Sequence, residues 1–405
     1  MAEIKQDAGF WTRLWQRMRG KNRLDEGEKT QSFSSATSSS GSVVTVDKSM
    51  KLSAVWACVR LKSQTIGSLP LHLKENFDFA KDHHLYSILH DAPNSDVIAS
   101  KFWEAVVTNI DLWGNAYIKI GRYEDEVASL TLLNPEKMEV AREGGKLSYK
   151  YDSKEMKSDD VMHIRGLTLD GYIGLSAIEY FAETIGFQND ANNAASTEFK
   201  NGMKAGGFID SGQQTLSDEQ RIKLRNWLGE FSRPENSGKW MVLEAGMKPV
   251  STSGISIKPS DAQLLESRHF GIEEICRAFG VPPTLIGHTD KASSWASSLE
   301  QTNLGFLTYS LTPILVSIEQ EIKRCLLSPT DRKKYSAKFS VEGLLRADSA
   351  GRSAFYTAGV NNGYLTRNEV RALEDRPPIA GGDTLTVQMQ MQDIDKRESN
   401  EQKDA

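Results

Sequence analysis

Residues 260–287 constrain the fold more than any other stretch, because the start and the end of one helix can both be read from them. Ser260 opens a capping box with the glutamine three residues later, which is typical of a helix start. Apolar residues then recur at three- and four-residue spacing, and Glu273 and Arg277 form an i,i+4 pair on the polar side. Gly280 suits the left-handed position after the last turn, and two prolines follow within three residues. The pattern predicts an amphipathic helix that stops sharply.

Composition narrows the class of protein. The chain has 405 residues, of which 39% are hydrophobic and 25% charged, and these values are typical of a globular protein with two or three cores. The sequence contains no run of about 18 apolar residues and no signal-peptide core, so we expect no stable membrane insertion and a protein that stays in the cytosol. The net charge of −5 disfavours a tight grip on nucleic acid, because that grip comes from lysines and arginines that replace counterions on phosphates.

The cysteines indicate neither a disulfide framework nor a zinc site. Cys58, Cys276 and Cys325 are far apart in the sequence, and each lies in an apolar helical pattern. We interpret all three as reduced packing residues.

Residues 1–42 are expected to lie outside the folded domains. Trp11 and Trp15 share one face of a short predicted helix that is surrounded by arginines and lysines. This arm suits either a flexible role within an assembly or contact with a membrane surface or partner protein. Residues 32–42, SFSSATSSSGS, are of low complexity and are predicted to be disordered, because they carry too little apolar surface to fold.

Residues 43–173 are predicted to form an α+β domain. Apolar residues follow helical spacing at about 52–66 and 100–113. Strand-like runs follow up to residue 166, and Asn-Pro and Gly-Gly turn signals separate them. The expected arrangement is an antiparallel sheet with helices against it.

Two long helices are predicted beyond this domain, at about 176–201 and 260–280. Ser176 with Glu179 forms the capping box of the first. Between them lies a small α/β insert, whose short helix is capped by Ser217. This order lets the long helices lie antiparallel, with the insert at their shared far end.

The last part of the chain is predicted to be helical. A polar loop at 287–297 is followed by a helix at about 299–327, which Pro313 should kink. Shorter helices are expected at about 348–360 and 367–374, and the tail after residue 387 is polar.

Common enzyme motifs are missing from the sequence, which has no GxxxxGK[ST], GxSxG, HExxH or paired CxxC. The densest group of potential metal ligands is Asp82, His83, His84, His90 and Asp91. Imidazole and carboxylate suit zinc or manganese, but the spacing matches no known motif, and the intervening apolar residues are typical of a packed helix. We therefore expect no catalytic residue, metal or cofactor. A metal-dependent hydrolase that uses this group and a membrane or scaffold adaptor that acts through the N-terminal arm are the alternatives.

Several blocks of sequence occur together in a recognisable order: HHLYSILHDAPN, LWGNAY, DAQLLESR, EEICRAFGVPPTLIG and RNEVRALEDRPPIAGGD. From about Leu52 to Asp383 the chain resembles the portal proteins of tailed bacteriophages, specifically the HK97-like portal family. The resemblance implies a non-enzymatic ring subunit, usually in twelve copies, that forms the channel for packaging and ejecting double-stranded DNA. It also implies docking of the large terminase subunit and a head-tail adaptor, neighbouring major capsid and scaffold proteins, and a place at the capsid portal vertex of the virion after assembly in the host cytoplasm.

The same resemblance assigns parts of the chain to parts of a portal. It implies a wing at 43–173 and 299–340, stem helices at 174–205 and 259–283, a clip at 206–258, a tunnel loop at 284–298, C-terminal wing and crown helices at 341–386, and a disordered tail at 387–405. It places Lys291, Ser293, Ser294 and Trp295 in the tunnel loop facing DNA. Clip residues for terminase docking would be Arg221, Arg225, Glu230, Arg233 and Glu235.

Overall fold

A computed structural model describes residues 24–25, 27–31, 33–76, 78–200, 208–210, 217–231, 248–250, 261–288, 295–341, 349–374 and 376–386. The chain divides into two compact units, 1–338 and 339–405. Several predictions concern residues outside the described ranges: the Trp/Arg arm, Ser260, Lys291, Ser293, Ser294, Arg233, Glu235 and the tail after residue 387.

The first unit alternates helices and strands. Its helices are α1 (Val46–Met50), α2 (Ser53–Gly67), α3 (His84–His90), α4 (Ala99–Trp113), α5 (Ala177–Tyr180), α6 (Ala182–Lys200), α7 (Asp218–Phe231), α8 (Asp261–Phe279), α9 (Trp295–Phe306) and α10 (Thr312–Cys325). Its strands are β1 (Lys29–Gln31), β2 (Ser35–Thr37), β3 (Val43–Thr45), β4 (Leu71–Glu75), β5 (Asp78–Phe79), β6 (Asn115–Tyr123), β7 (Glu126–Leu133), β8 (Met138–Glu143), β9 (Lys146–Tyr151), β10 (Lys154–Met156), β11 (Val161–Arg165), β12 (Phe208–Asp210), β13 (Lys248–Val250) and β14 (Tyr335–Phe339).

The strand-like runs between 115 and 166, predicted as one antiparallel sheet, are divided between two antiparallel sheets, while β4 and β5 belong to a third sheet with β14. The order is β11-β6-β7 in one sheet and β1-β8-β9-β10 in the other. The division falls at Asn134 and Pro135, which lie at a 3₁₀ turn between β7 and β8. Proline has a fixed φ and no backbone N–H, so the chain leaves the first ladder there. The predicted α+β class is confirmed.

Helix α4 contacts both α2 and β6. Trp103 is buried and donates from its indole nitrogen to the carbonyl of Leu89, at 3.2 Å. The helix ends at Gly114, whose φ of 75° is left-handed. A side chain on Gly114 would collide with the backbone of Gly174 and Leu175, so glycine lets the turn after α4 pack directly on the segment that leads into α5.

Residues 1–42 are expected from the sequence to lie outside the folded domains, but the described residues 24–25, 27–31 and 33–42 are packed and hydrogen-bonded into the fold. Leu24 is buried in a cluster with Met138 and Val140, β1 pairs with β8, and β2 pairs with β3. The backbone N–H and hydroxyl of Ser39 donate to the Glu183 carboxylate on α6 at 2.8–2.9 Å. The β2–β3 hairpin (residues 35–45), here called the serine hairpin, is thus held by a distant carboxylate acceptor, which local composition does not reveal.

Two predicted long helices are divided. Phe181, with φ −101° and ψ 22°, separates α5 from α6, where the sequence predicted one helix at 176–201. Ser176 caps α5 as expected, since its hydroxyl accepts from the Glu179 N–H at 3.3 Å. A π-helical turn at 307–311 separates α9 from α10. No helix in the described part of the chain has both the length and the hydropathy to cross a membrane.

The second unit contains α11 (Ser349–Asn361) and α12 (Arg367–Leu373). Thr366 and Glu369 form the predicted capping box at the start of α12. Asn368 is buried and holds the following loop: it accepts from the Ile379 N–H at 2.8 Å and donates to Asp383 at 2.9 Å. The two-helix arrangement expected from the sequence is confirmed for this part of the chain.

Candidate functional site

The end of α8 has the geometry that the sequence predicted. Gly280 has a φ of 65°, and the Val281 N–H donates back to the Cys276 carbonyl at 2.9 Å. This left-handed residue with its returning hydrogen bond satisfies a carbonyl of the last helical turn. Pro282 and Pro283 then lead into a 3₁₀ turn that ends at Gly287. Residues 280–283, here called the GVPP turn, set the direction in which the chain leaves α8.

The long helix on the other side of the predicted loop is interrupted near Pro313, as expected. Proline lacks the N–H that would bond to the carbonyl four residues earlier and crowds that carbonyl. The chain adopts a π-helical turn at 307–311 immediately before it. The Thr312 hydroxyl donates to the Leu307 carbonyl at 2.8 Å, across this turn. The interruption therefore has a local cause.

The GVPP turn and the π-helical turn contact each other. The Ser310 hydroxyl donates to the carbonyl of Gly280. Beside this contact lies a cavity of about 620 Å³, here called the turn cavity, whose walls include Cys276, Arg277 and Phe306. Tyr309 also borders it and is 81% exposed. The two chain segments that flank residues 289–294 are thus held together at one place.

Helix α10 is joined to the α+β domain by a largely buried ion pair. Arg165 Nη1 lies 3.2 Å from Glu321 Oε1, and the two side chains are only 16% and 14% exposed. The Ser317 hydroxyl donates to the Arg165 carbonyl at 3.2 Å. Arg324 approaches the other oxygen of Glu321 at 2.7 Å. These contacts fix the helix that follows the π-helical turn against β11.

A buried polar network centres on His163, which lies two residues before Arg165 on β11. His163 on β11 donates from Nε2 to Asn115 Oδ1 at 2.9 Å, while its Nδ1 is 3.4 Å from the Tyr149 hydroxyl. Asn115 also bridges to the backbone of Gly174. Complete burial, with the nearby positive charges of Arg165 and Arg324, holds the pKa of His163 well below its usual range. The ring is therefore a neutral structural group.

A second buried network joins α2 to α4. Lys62 Nζ lies 2.5 Å from Asp111 Oδ1, and both side chains are less than a tenth exposed. Asp111 Oδ2 has no hydrogen-bond partner among the described residues. Burial raises the pKa of Asp111, and the ammonium group of Lys62 opposes this shift. Helix α2 also contacts α8 and the 3₁₀ turn Pro283–Ile286 that follows the GVPP turn.

One of the four predicted tunnel-loop residues, Trp295, lies in a helix. Trp295 is the first residue of α9 rather than part of a loop, because the helix begins four residues before the predicted start at Leu299. A Ser-Ser pair directly before it and an uninterrupted helix-compatible run after it allow the earlier start. Lys291, Ser293 and Ser294 lie outside the described residues.

The predicted clip residues that the structure describes all lie on one helix, α7. Arg221, Arg225 and Glu230 all belong to α7, and Arg233 and Glu235 lie outside the described residues. The helix starts at a reciprocal cap: the Gln220 N–H donates to the Ser217 hydroxyl at 3.3 Å and the Gln220 side chain accepts from the Ser217 N–H at 3.0 Å. Arg221 is exposed and lies 3.5 Å from Asp218.

The histidine and aspartate group at 82–91 is used for helix capping and ring packing. His83 precedes α3 and accepts from the Leu85 N–H at 3.2 Å, and His90 lies 2.7 Å from Asp91. The ring of His90 stacks on Tyr86. Within the described ranges, no three His, Cys, Asp or Glu side chains are grouped so that they could hold a metal ion. The arrangement does not favour the hydrolase alternative.

The fold and the contacts described above combine an α+β domain with interrupted long helices. The family model described as phage portal protein matches residues 53–375. The portal protein of Enterobacteria phage HK97 is 32% identical over 401 residues, which cover 96% of this chain and 94% of that protein.

Solved structures agree on the fold. An HK97 family phage portal protein from Corynebacterium diphtheriae has a TM-score of 0.59 and 18% identity, and the match covers 76% of this chain and 98% of that one. A chain from the neck of a native gene transfer agent particle, computed with C12 symmetry, has a TM-score of 0.55 and 21% identity, covering 91% and 99%. The chain belongs to the phage portal protein family, as its sequence motifs predicted.

Family membership decides between the alternatives. Portal proteins are structural components of the virion and are not enzymes, so the portal interpretation is favoured over the metal-dependent hydrolase and over the membrane or scaffold adaptor. The residues that sequence reasoning missed are those of the α2–α8 contact and of the serine hairpin, since their partners lie more than a hundred residues away.

Proposed function

We propose that twelve copies of the chain form a closed ring at the portal vertex of a phage capsid and enclose the channel for double-stranded DNA. One observation supports the copy number: a chain from the neck of a native gene transfer agent particle, computed with C12 symmetry, matches 91% of this chain. Closed cyclic symmetry requires one surface of each subunit to fit a different surface of the next. The net charge of −5 suits a channel, because a wall that binds phosphates weakly lets DNA slide.

The proposed roles of the parts follow the sequence resemblance. Residues 43–173 and 299–340 serve as the wing, α5–α6 and α8 as the stem, and residues 206–258 as the clip. The α7 residues Arg221, Arg225 and Glu230, with Arg233 and Glu235, contact the large terminase subunit during packaging and a head-tail adaptor afterwards. Lys291, Ser293, Ser294 and Trp295 face DNA in the channel, with Trp295 at the first position of α9. Assembly takes place in the host cytoplasm with scaffold and major capsid proteins.

The ring is tested by native mass spectrometry of the purified chain together with negative-stain images. The expected result is a closed ring of about a dozen subunits with a central hole. If the chain remains monomeric alone, the same measurement is repeated after co-expression with scaffold and capsid protein. A monomer in both preparations would contradict the proposal.

The channel role is tested by replacing residues 289–294 with a glycine-serine linker of equal length, which keeps the spacing between the GVPP turn and α9. We expect rings to form as before and the amount of DNA packaged per particle to fall. The matched control is the same replacement at 232–237, between α7 and β13, where docking rather than passage of DNA should change. Normal packaging by the 289–294 variant would argue against contact of this segment with DNA.

A further inference from the structure

Two leucines are exposed in the turn that follows β11. Leu167 is 76% exposed and Leu169 is 65% exposed, and Thr168 between them forms an isolated antiparallel bridge with Gly174. Side chains alternate in direction along an extended segment, so the two leucines, here called the leucine pair, lie on one side of the turn. That side is normally polar where it faces water, yet here the polar Thr168 is the more buried residue. The leucine pair therefore suits a partner with an apolar face.

The described chain begins beside this pair. Leu24, the first described residue, is buried, and its backbone N–H donates to Oδ2 of Asp170 at 2.7 Å. Asp170 directly follows Leu169 in the sequence. Its other carboxylate oxygen accepts from two backbone N–H groups of the same turn, so the acceptor is itself fixed. The residues that precede Leu24 must therefore extend from a point next to the leucine pair.

The sequence that precedes Leu24 carries a complementary apolar face. Five apolar residues recur there at three- and four-residue spacing: Phe10, Trp11, Leu14, Trp15 and Met18. This spacing predicts one face of a helix, here called the tryptophan face. The positions between these residues are threonine, glutamine and arginines, which favour water. Gly20 follows, and glycine commonly ends a helix.

The connection from this predicted helix to Leu24 is short. Only residues 20–23 separate them. An extended chain spans about 3.3–3.6 Å per residue, so the end of the helix lies within about 18 Å of Leu24. A segment held on so short a link acts at an effective concentration of about millimolar. The tryptophan face of the same chain therefore has an advantage over any separate molecule in reaching the leucine pair.

We propose that residues 10–18 form an amphipathic helix whose tryptophan face packs on Leu167 and Leu169 of the same chain. The docked helix covers the leucine pair and removes both arm tryptophans from water, while its arginines stay on the outer side. The contact extends the anchoring of Leu24 by Asp170 to the preceding residues. This inference concerns the single chain and does not depend on the proposed ring.

Hydrogen exchange of the full-length chain, read by mass spectrometry, tests the contact from the arm. A helix of about ten residues is not stable alone in water, so slow exchange at 13–18 requires docking. The double substitution Leu167→Ser with Leu169→Ser should speed exchange there about tenfold, because it removes the apolar surface beneath the helix. Leu304→Ser is the matched control, since Leu304 is an exposed leucine on α9, and it should leave the rate unchanged. Equal rates at 13–18 in the wild type and the double variant would overturn the proposal.

The reciprocal variant tests the contact from the turn. Trp11→Ser with Trp15→Ser alters only residues that precede the described fold, so the folded domains should keep their exchange pattern. Exchange at 166–171 should become faster in this variant, because the cover is lost. Unchanged exchange at 166–171 would contradict packing of the tryptophan face on the leucine pair.

Two further measurements identify the occupant. The photoreactive residue p-benzoylphenylalanine is placed at position 15, and an equal mixture of isotope-labelled and unlabelled chains is irradiated. The expected product joins position 15 to residues 166–170 within one isotope, whereas products that join the two isotopes would assign the leucine pair to a second copy. Flotation of the wild type on vesicles that contain phosphatidylglycerol, lost with Trp11→Ser and Trp15→Ser, would assign the tryptophan face to a lipid surface. Either of these two results overturns the proposal.

Discussion

The backbone N–H of Leu24 donates a 2.7 Å hydrogen bond to Oδ2 of Asp170, which ties the start of the described chain to the turn after β11. The other oxygen of Asp170 accepts from the N–H groups of Tyr172 and Ile173 at 2.8 and 3.1 Å. Partial burial by itself would raise the pKa of Asp170, but these three donors outweigh it and lower the pKa. One carboxylate therefore orders both its own turn and the N-terminal segment.

Asp170→Ala should release the N-terminal segment. Loss of three hydrogen bonds to a charged acceptor should cost about 2–4 kcal/mol of stability. The cleavage of Lys29 in β1 by trypsin should become faster in the native protein, because β1 loses its anchor. The matched control is Asp159→Ala, an exposed aspartate in a nearby 3₁₀ turn. Equal cleavage rates in the two variants would show that Leu24 is held by its apolar cluster alone.

Glu321→Ala should lower the free energy of unfolding more than the loss of an exposed ion pair does. Glu321 accepts from Arg165 and Arg324, and removing it leaves a largely buried guanidinium without its carboxylate. The expected loss is about 3 kcal/mol in denaturant unfolding. Glu155→Ala breaks the exposed pair with Lys150 and should cost less than about 0.5 kcal/mol. Similar losses of stability in both variants would contradict a special role for the Arg165–Glu321 pair in holding α10.

His163 should make the fold sensitive to mild acid. Its pKa is lowered in the folded chain by burial, so below the unfolded value of about 6.5 the unfolded chain takes up a proton that the folded chain does not. Its contribution to stability is therefore complete above pH 6.5 and is lost as pH falls from there toward the folded pKa. The slope approaches about 1.4 kcal/mol per pH unit within that window.

The measurement compares denaturation midpoints at pH 7.5 and 5 for the wild type and for His163→Gln, which keeps a polar group but cannot be protonated. The difference between the two pH values should be smaller in the variant. Substitution of the exposed His269 by glutamine serves as the control and should leave the wild-type difference in place. An unchanged difference in His163→Gln would assign the acid sensitivity to other groups.

The charge balance of the buried Lys62–Asp111 pair can be tested by replacing first one partner and then both. Lys62→Met leaves the Asp111 carboxylate buried without its partner, and the expected cost is about 3–5 kcal/mol. Adding Asp111→Leu removes the stranded charge and should recover most of that loss, since an apolar pair of similar size is often neutral. The two variants are compared by guanidinium unfolding. A double variant no more stable than Lys62→Met would show that the network is needed for packing rather than for charge balance.

Local chemistry determined the features that the sequence predicted well. The left-handed Gly280 with two following prolines ends α8, and the Thr366–Glu369 box starts α12, because helix ends depend on hydrogen bonds within a few residues. The interruption before Pro313 follows from its missing N–H. The portal motifs likewise lie in short contiguous runs, which is why they identified the family before any tertiary contact was known.

Contacts between residues far apart in the sequence decided the features that the sequence did not predict. The serine hairpin is held because the Glu183 carboxylate accepts from Ser39, and the strands that the sequence predicted as one sheet are divided between two. None of these pairings leaves a periodic or compositional mark, since each partner is an ordinary residue in its own segment. The sequence by itself therefore determined the helix ends, the α+β class and the family, whereas only the tertiary structure decided which remote polar groups meet. The physical reason is that capping and proline effects act over one turn of chain, while hydrogen bonds between segments exist only after the fold has closed.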